Sequence, residues 1–296
     1  MQIENKNMLK ITKATYGGQD CTLNIQSKIK DNKLIVRADN NIIGDTAVGV
    51  VKYLQITGEY EGATFSENIK EGTLLCLPKT KTNRLGIFYS NNTNERIYPA
   101  IRASLKSIQK AAADKADILT CMWRHEPENP FYECIAWTQT SSHLNQILQI
   151  LQLLYTAKQT SDYKYVSFLE HDLVYAEGYF DYPEFTSGIL ANMNYIGMNK
   201  DGYQHRGQND KPTSQLTMLF EDAIKHFESL LPNALVTNSG LLEPQLQMVE
   251  WNSAEPNIHI NHGSHFTSHY SIYKKTDTYL THPYWGEHSE YLHLFN

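Results

Sequence analysis

The chain has 296 residues, a mass of 34.0 kDa and a formal net charge of −6, so it can bury a sizeable core and no overall field attracts it to nucleic acid. No run approaches the ~20 apolar residues that span a bilayer, and the amino terminus has no apolar signal segment. The four cysteines lack CxxC spacing, which argues against a zinc knuckle or a disulfide scaffold and favours a reducing, cytoplasmic compartment.

Residues 1–80 alternate short β-like runs with turn signals. Runs such as Asp20–Lys30 and Lys33–Ala38 have apolar or alternating character, and turn residues such as Asn40-Asn41 separate them. None of these runs has a convincing helical period. We therefore predict a small antiparallel β-domain over residues 1–80, with a polar linker at residues 79–84.

This segment resembles a small β-domain of unknown function that is appended to enzymes and to the ends of some DnaJ-like proteins. The likeness depends on turn and strand residues at Ala14 to Gly17, Asn40 to Asp45, Gly49 to Lys52 and Glu71-Gly72. It implies an accessory domain for recognition or oligomerisation.

From Leu85 onward, predicted strands and helices alternate. The strands are Leu85–Ser90, Asp117–Trp123 and Tyr163–Leu169, and the helices are Ala100–Ala113, His143–Lys158 and Gln215–Leu230. Strands separated by such helices form right-handed βαβ units. The predicted fold class is therefore α/β, with a mostly parallel sheet flanked by helices over residues 85–296. The polar residues 187–212 predict a long functional loop.

Three polar residues follow the strand Tyr163–Leu169: Glu170, His171 and Asp172. They lie at the carboxyl end of the strand, the edge where open α/β sheets bind their ligands. On an extended backbone, Glu170 and Asp172 project to the same side. Two such carboxylates suit a divalent cation that carries a diphosphate. A solvated pair of loop acids after a core strand is the alternative interpretation.

Two other strand ends meet at the same edge, because parallel strands end on one side of their sheet. Asn91 and Asn92 follow the first strand, and Arg124 follows the second. Neither GxGxxG nor GxxxxGK[ST] follows any of the strands, which argues against a Rossmann dehydrogenase and a P-loop ATPase. We expect a nucleotide here, with a metal in place of a glycine cradle. The predicted donor-binding residues are Asn91, Asn92, Arg124, Glu170 and His171.

The segment Phe168–Pro183 (FLEHDLVYAEGYFDYP), with Asn145-Gln146 in the preceding helix, resembles glycosyltransferases of the GT-A fold, particularly phage and bacterial sequences. The resemblance covers residues 85–285. It implies that Asp172 binds the metal of a nucleotide-sugar, as the last Asp of the family's DxD motif does. Because this chain has Glu-His-Asp, Glu170 is left with two alternatives, orienting the ribose or orienting Asp172.

The same resemblance implies where the acceptor and a catalytic base lie. The acceptor site would be bordered by Asp201, Gln204, His205 and Arg206. An inverting enzyme would carry its base on the next helix, at Glu221 or Asp222. Solvated loop and helix residues are the alternative for all six positions.

Histidines concentrate near the carboxyl end, where seven of the twelve follow residue 258. His262 and His265 flank Gly263, which lets the backbone approach a ligand. The resemblance implies that such a histidine returns to the metal. Imidazole beside carboxylate favours Mn²⁺ over an all-oxygen site, although Mg²⁺ stays open. The predicted metal ligands are Asp172, His262 and His265.

Together these features predict a metal-dependent transferase that moves a sugar from a nucleotide-sugar, expected to be a UDP-sugar, to a hydroxyl group. Since the resembling sequences include phage enzymes, one hypothesis for the acceptor is 5-hydroxymethylcytosine in double-stranded phage DNA, modified in the host cytoplasm. A surface glycan or a protein is the second hypothesis, which the net charge of −6 favours. A non-catalytic glycan-binding protein is the third. The basic residues available for DNA are Lys79, Lys81 and Arg84, or Lys28, Lys30, Lys33 and Arg37.

Overall fold

The computed structural model describes residues 8–30, 32–78, 82–92, 94–136, 142–205, 215–237, 247–260 and 278–295. Two compact units divide the chain: one combines Met1–Lys81 with Thr156–Asp162, and the other combines Thr82–Tyr155 with Tyr163–Asn296. Within the described ranges, no helix is both long and apolar enough to cross a membrane.

Short antiparallel strands and one helical turn form the regular structure of the first unit. Its elements are β1 (Lys10–Tyr16), β2 (Gln19–Asp20), α1 (Thr22–Gln26), β3 (Leu34–Arg37), β4 (Tyr53–Tyr60), β5 (Ala63–Lys70) and β6 (Leu74–Leu77). One antiparallel sheet has the order β2-β1-β4-β5, and β3 pairs with β6. Along β4, exposed and buried residues alternate, because one face of the strand covers the core. The core side chains include Tyr16, Ile25, Leu34, Leu54 and Ile56.

Two local predictions for this unit were wrong. Residues Thr22–Gln26 form a helical turn where a β-like run was expected. The Asp20 carboxylate accepts the Thr22 N–H at 2.8 Å, which starts this turn, and Ile25 buries its side chain in the core. Strand β5 was not predicted, because none of its residues is fully buried and its sequence shows little apolar alternation.

A buried lysine fixes the long connection between β3 and β4. The side chain of Lys52 is 4% exposed, and its ammonium lies 2.8 Å from Asp45 and 3.4 Å from Glu71. The Tyr16 hydroxyl also donates to Glu71, at 2.8 Å. Hydrogen bonding to Lys52 lowers the pKa of Asp45. The pKa of Glu71 is lowered by hydrogen bonds from the Lys52 backbone, from Tyr16 and from the Lys52 ammonium.

The described part of the second unit contains three α-helices, one of which ends in the first unit, two 3-10 helices and most of the strands. Its elements are β7 (Arg84–Ser90), a 3-10 helix (Glu95–Ile97), α2 (Tyr98–Ala112), β8 (Asp117–Met122), β9 (Tyr132–Ile135), α3 (His143–Lys158), β10 (Tyr165–Leu169), β11 (Leu173–Val174), β12 (Ile189–Asn192), β13 (Tyr195–Asn199), β14 (Gly202–Gln204), β15 (Leu216–Leu219), α4 (Phe220–Thr237), β16 (Met248–Trp251), β17 (Asn257–Ile260), β18 (Thr281–His282), β19 (Gly286–Glu287) and a 3-10 helix (His288–Phe295).

A seven-stranded sheet organises this unit, in the order β16-β12-β15-β10-β7-β8-β9. The neighbours β10, β7, β8 and β9 are parallel, β12 is parallel to β16, and β15 runs antiparallel to both β10 and β12. The carboxyl ends of the parallel strands and the amino end of β15 therefore share one edge. The predicted fold class is confirmed: an α/β chain with a mostly parallel sheet.

A smaller sheet, in the order β11-β17-β13-β14, connects the carboxyl-terminal part of the chain to that edge. Strand β11 lies directly after the polar residues that follow β10. In the pairing register, His259 of β17 lies opposite Leu173 of β11 and Gly197 of β13, and Gly197 lies opposite Gln204 of β14. This pairing brings a histidine from near the end of the chain beside Asp172.

Two predictions for residues 187–230 were wrong, one of them only in part. Strands β12, β13 and β14 lie within the segment expected to be a loop. The helix predicted over Gln215–Leu230 is confirmed from Phe220 onward as α4, but Leu216–Leu219 form strand β15 instead. The first three residues of β15 are buried, and the strand hydrogen-bonds to β10 and β12 on its two sides, so tertiary pairing outweighs the helical apolar spacing.

We expect Gly86→Ala to destabilise the second unit, because Gly86 lies in β7 against a filled core. A Cβ atom there would lie 2.6 Å from Ile118 Cδ1 and 2.8 Å from Leu169 Cδ1. Such overpacking costs about 1–3 kcal/mol in the free energy of unfolding. Gly178→Ala is the matched control, since its Cβ would meet Ala254 at an ordinary 3.7 Å. Denaturant unfolding of both variants tests this; equal stabilities would contradict it.

We expect Lys52→Met to destabilise the first unit in a pH-dependent way. Carboxylates with lowered pKa values stabilise a fold above their ordinary pKa of about 4, and this stabilisation is lost as the pH falls through the lowered values. The melting-temperature difference between wild type and Lys52→Met should therefore be largest near neutral pH and shrink below about pH 4. Lys70→Met, at an exposed lysine, should show no such trend; a constant difference for Lys52→Met would refute the prediction.

Candidate functional site

Helix α2 holds the polar residues after β10 in a turn. The Ser104 hydroxyl lies 2.6 Å from the carbonyl oxygen of Leu173 and 3.0 Å from that of His171. Glu170, His171 and Asp172 are half-buried in this turn rather than on an extended strand. The expected extended geometry was therefore wrong, but the turn keeps the two carboxylates close enough that the charge of Asp172 raises the pKa of Glu170.

A second serine of α2, Ser107, is linked to the same turn through Tyr175. The Ser107 hydroxyl accepts the Tyr175 N–H at 2.9 Å, and the Tyr175 hydroxyl accepts the Glu170 N–H at 2.7 Å. Ser104, Ser107 and Tyr175 are all buried. The backbone that carries the acidic residues is thus anchored to the core at several points, as a binding site requires.

Asp172 and His259 form the central contact of the candidate site. His259 Nε2 lies 3.4 Å from Asp172 Oδ2, with side-chain exposures of 21% and 15%. The backbone holds the pair in place, because the Ile260 N–H donates to the Asp172 carbonyl at 2.7 Å. Burial lowers the pKa of His259, but the hydrogen bond and charge of Asp172, with the charge of Glu170, outweigh burial and raise it overall.

Glu170 lies next to this pair in an environment that disfavours its charge. Burial and the charge of Asp172 raise the pKa of Glu170, whereas the charge of His259 and a hydrogen bond from the Tyr89 hydroxyl lower it less. Tyr89 is also hydrogen-bonded to Gln146 of α3. The site therefore holds more negative charge than His259 alone balances when both carboxylates are ionised.

A divalent cation fits this donor set. Mg²⁺ and similar ions need only one or two carboxylates, with substrate phosphates and water completing the shell, and imidazole extends the choice to Mn²⁺. Asp172 and His259 are the side chains that could hold the ion, with Glu170 beside them. No group of three or more His, Cys, Asp or Glu side chains arranged for a metal occurs among the described residues. The predicted ligands His262 and His265 lie outside those residues.

The predicted nucleotide-binding residues are at the expected edge but make structural contacts. The Asn91 side-chain amide donates to the Ser142 carbonyl at 2.9 Å, and the Asn92 side chain accepts the Asn94 N–H at 2.9 Å. Arg124 forms an ion pair of 2.8 Å with Glu95 and stacks on the Tyr98 ring. Burial lowers the pKa of His171, which favours a neutral imidazole beside the acidic pair.

The predicted acceptor residues lie on the β13–β14 hairpin and just after it. Asp201 is exposed in the turn, and its N–H donates to the Asn199 side chain at 2.8 Å. His205 is exposed and stacks on Tyr279, with ring centroids 4.8 Å apart. Gln204 is buried, two strands away from His259 in the same register. Arg206 lies outside the described residues.

The structure does not bring Glu221 and Asp222 to the acidic turn. Both lie in the first turn of α4, directly after β15. Because β15 is antiparallel to β10, its last residue, Leu219, pairs with the first residue of β10, Tyr165. The start of α4 is therefore at the opposite edge of the sheet from Glu170 and Asp172. Asp222 lies 3.8 Å from Lys225 of its own helix.

His259 is the site residue that sequence analysis missed. His259 is one of the clustered histidines, but the glycine between His262 and His265 favours those two as metal ligands. The available signal was the sequence Ile258-His259-Ile260, in which a polar residue stands between two buried apolar residues of one strand. In a strand, this alternation directs the histidine away from the face that its neighbours bury.

No protein-family model matches the sequence, and no curated protein matches it. Similar solved structures include the galactosyltransferase LgtC in complex with donor and acceptor sugar analogs, at 9% identity and a TM-score of 0.32, over 54% of this chain and 66% of that chain. A glycosyltransferase involved in the glycosylation of the major capsid of PBCV-1 has 8% identity and a TM-score of 0.36, over 60% and 91% of the two chains.

The glycosyltransferase GlyE in Streptococcus pneumoniae TIGR4 is similar at 12% identity and a TM-score of 0.34, over 56% of this chain and 45% of that chain. This chain therefore spans less than two thirds of the LgtC and GlyE chains.

Proposed function

We propose that this protein is a metal-dependent glycosyltransferase that moves a sugar from a nucleotide-sugar, expected to be a UDP-sugar, to a hydroxyl group. The observation that carries the proposal is the contact between Asp172 and His259 at the ligand-binding edge of the sheet, 3.4 Å apart and beside Glu170. The residue resemblance of Phe168–Pro183 to GT-A glycosyltransferases supports it.

Asp172 and His259 would hold the ion, which when bound supplies Lewis-acid stabilisation of the diphosphate leaving group. Ser104 and Tyr175 fix the backbone of the acidic turn, so the carboxylates keep their positions while the donor binds. Tyr89 donates to Glu170 and orients its carboxylate. Asn91 and Asn92, at the end of β7, lie where the nucleoside would pass over the sheet edge.

The acceptor hypotheses differ in the surface charge that they require. For a DNA acceptor, Lys28, Lys30, Lys33 and Arg37 are exposed in the first unit. Arg84 is committed elsewhere: its guanidinium donates to the Phe180 and Tyr182 carbonyls and stacks on the Tyr182 ring. Lys79 and Lys81 lie outside the described residues. The net charge of −6 favours a glycan or protein acceptor over 5-hydroxymethylcytosine in DNA.

The test is turnover of a panel of nucleotide-sugars with Mn²⁺, with and without acceptors. We expect Asp172→Ala to lower turnover by about 100-fold or more, because it removes the main electrostatic support of the leaving group. His259→Ala should lower it by about 10- to 100-fold and weaken Mn²⁺ binding in parallel. Asp181→Ala is the matched control, since its carboxylate is 54% exposed and pairs with Lys115 at the surface; it should behave as wild type.

The measurements with different acceptors distinguish the DNA, glycan or protein, and non-catalytic hypotheses. Turnover that rises only with hydroxymethylated duplex, and falls when the exposed basic residues are neutralised, supports a DNA acceptor. Turnover that rises with glycans or proteins supports the other enzyme hypothesis. Absence of turnover with every donor, in a folded protein that still binds Mn²⁺ and glycans, would overturn the proposal in favour of a non-catalytic glycan-binding protein.

A further inference from the structure

A network of four buried polar side chains includes Asn257, which lies on the same strand as His259. Its members are at most 4% exposed: Asn192, Gln215, Ser253 and Asn257. Asn192 ends β12, Asn257 begins β17, and Gln215 immediately precedes β15. All three elements reach the ligand-binding edge of the sheet. Buried polar groups of this kind normally pair all of their donors and acceptors.

Backbone N–H groups fix the orientation of Asn257 in this network. The Ala176 N–H donates to the side-chain oxygen of Asn257 at 2.8 Å. Since an N–H can only donate, the atom that accepts it must be Oδ1, and the Nδ2 of Asn257 must face the other way. That nitrogen donates to Oε1 of Gln215.

Asn192 is fixed in the same manner and reaches the same atom of Gln215. Its Oδ1 accepts the N–H groups of Ser253 and Asn194, each at 3.1 Å. Its Nδ2 therefore points toward the Ser253 hydroxyl at 3.0 Å and toward Gln215 Oε1 at 3.4 Å. Two amide nitrogens thus converge on one side of Gln215, which must present its oxygen to them.

This leaves the Nε2 of Gln215 as a donor aimed away from the network. Gln215 is 1% exposed, and its Nε2 is buried without an acceptor among the described residues. The neighbours forbid the flip that would hide this nitrogen, because flipping would set N–H groups against N–H groups. An amide donor held in this way costs stability unless something accepts from it.

Gln215 lies at the edge of the sheet that carries the proposed metal ligands. Thr217 of β15 pairs with Ser167 of β10, so Gln215 lies two residues further toward the edge that carries Glu170. Its partner Asn257 stands two residues before His259 on β17, and residues two apart share one face of a strand. Gln215 and its Nε2 donor therefore lie at the same edge of the sheet as the turn that carries Glu170 and Asp172.

The strand order at this edge matches the order of groups in a nucleotide-sugar. Neighbouring strands are about 4.8 Å apart, and β7, β10 and β15 are consecutive. In the proposed function the nucleoside would lie over the end of β7 and the diphosphate at Asp172 after β10, so the sugar would come next, at the start of β15. Its hydroxyl oxygens are neutral acceptors, which suit a neutral amide donor.

We propose that Gln215 donates from Nε2 to a hydroxyl oxygen of the transferred sugar and thereby selects which sugar the enzyme uses. This inference depends on the proposed function, since it requires a nucleotide-sugar at the Asp172–His259 site. It makes Gln215 a substrate-binding residue for the sugar, separate from the residues that bind the diphosphate.

Two substitutions isolate the donor from its structural role. Gln215→Glu keeps an oxygen for Asn192 and Asn257 and replaces the Nε2 donor by an oxygen. Gln215→Met removes both groups at similar volume. Ser253→Ala is the matched control, because Ser253 belongs to the same network but contacts Asn192, not the free face of Gln215. Thermal unfolding of each variant reports the structural contribution alone.

The experiment measures the affinity of each variant for UDP and for the UDP-sugar that wild type turns over, with Mn²⁺ present. We expect Gln215→Glu and Gln215→Met to weaken the UDP-sugar about 10-fold and to leave UDP unchanged. Ser253→Ala should change the melting temperature without changing the ratio of the two affinities. Monodeoxy forms of the sugar then locate the contact: one of them should lose about 10-fold in wild type and nothing further in the Gln215 variants.

The outcomes separate this inference from the proposed function. If wild type binds and turns over a UDP-sugar but the Gln215 variants weaken UDP equally, or weaken neither ligand, the amide binds a buried water and the inference is wrong while the function stands. The inference is also wrong if every monodeoxy sugar loses the same affinity in wild type and variants. If wild type binds no nucleotide-sugar, the proposed function fails and the inference fails with it.

Discussion

The pairing of β11 with β17 joins the two halves of the candidate site. It continues into the turn after β10, where the Ile260 N–H donates to the Asp172 carbonyl at 2.7 Å. Without it, Asp172 would be an acidic loop residue and His259 a strand histidine far along the sequence. Because β17 also carries Asn257, the same pairing positions the buried amide network. The charged and neutral parts of the site therefore depend on the docking of a single four-residue strand.

The parts of the fold that sequence predicts well are those in which local and tertiary preferences agree. Helix α3 has the predicted bounds, His143–Lys158, because its apolar face repeats at helical spacing and packs on the sheet. Strand β10 follows from a run of five buried residues. At Leu216–Leu219 the two preferences conflict: the apolar residues also fit a helical face, but hydrogen bonding to β10 and β12 decides for a strand. Because the sequence predicts a helix here, it does not predict that Gln215 lies at the edge of the sheet.

The residues of the candidate site also differ in how far the sequence alone predicts them. Glu170 and Asp172 can be found from sequence, since acidic residues directly after a buried strand are a local signal. For His259 the sequence shows only that a polar residue stands between two apolar residues of one strand, and for Gln215 it gives no comparable signal. The importance of both comes from contacts with residues that are distant in sequence. Glu221 and Asp222 are the opposite case, in which the sequence suggests a role that the fold does not support. Their chemistry suits a base, but the antiparallel direction of β15 puts them at the wrong edge, and direction is not visible in a short apolar run.

The edge of the sheet carries ionisable side chains and a neutral amide, and the proposed substrate carries a charged diphosphate and a neutral sugar. Asp172 and Glu170 offer carboxylate oxygens and His259 offers an imidazole nitrogen to a cation, and a cation in turn attracts a diphosphate whatever sugar is attached to it. Such a contact gives affinity but little discrimination among sugars. A neutral amide held rigid by backbone N–H groups has the opposite properties: it adds no net charge, and it loses its partner when one hydroxyl is absent or displaced. The proposed role of Gln215 gives a reason for the fixed orientation of Asn192 and Asn257. If Gln215 could flip, it could present either an oxygen or a nitrogen to the sugar, and it would no longer distinguish a sugar that has the hydroxyl from one that lacks it.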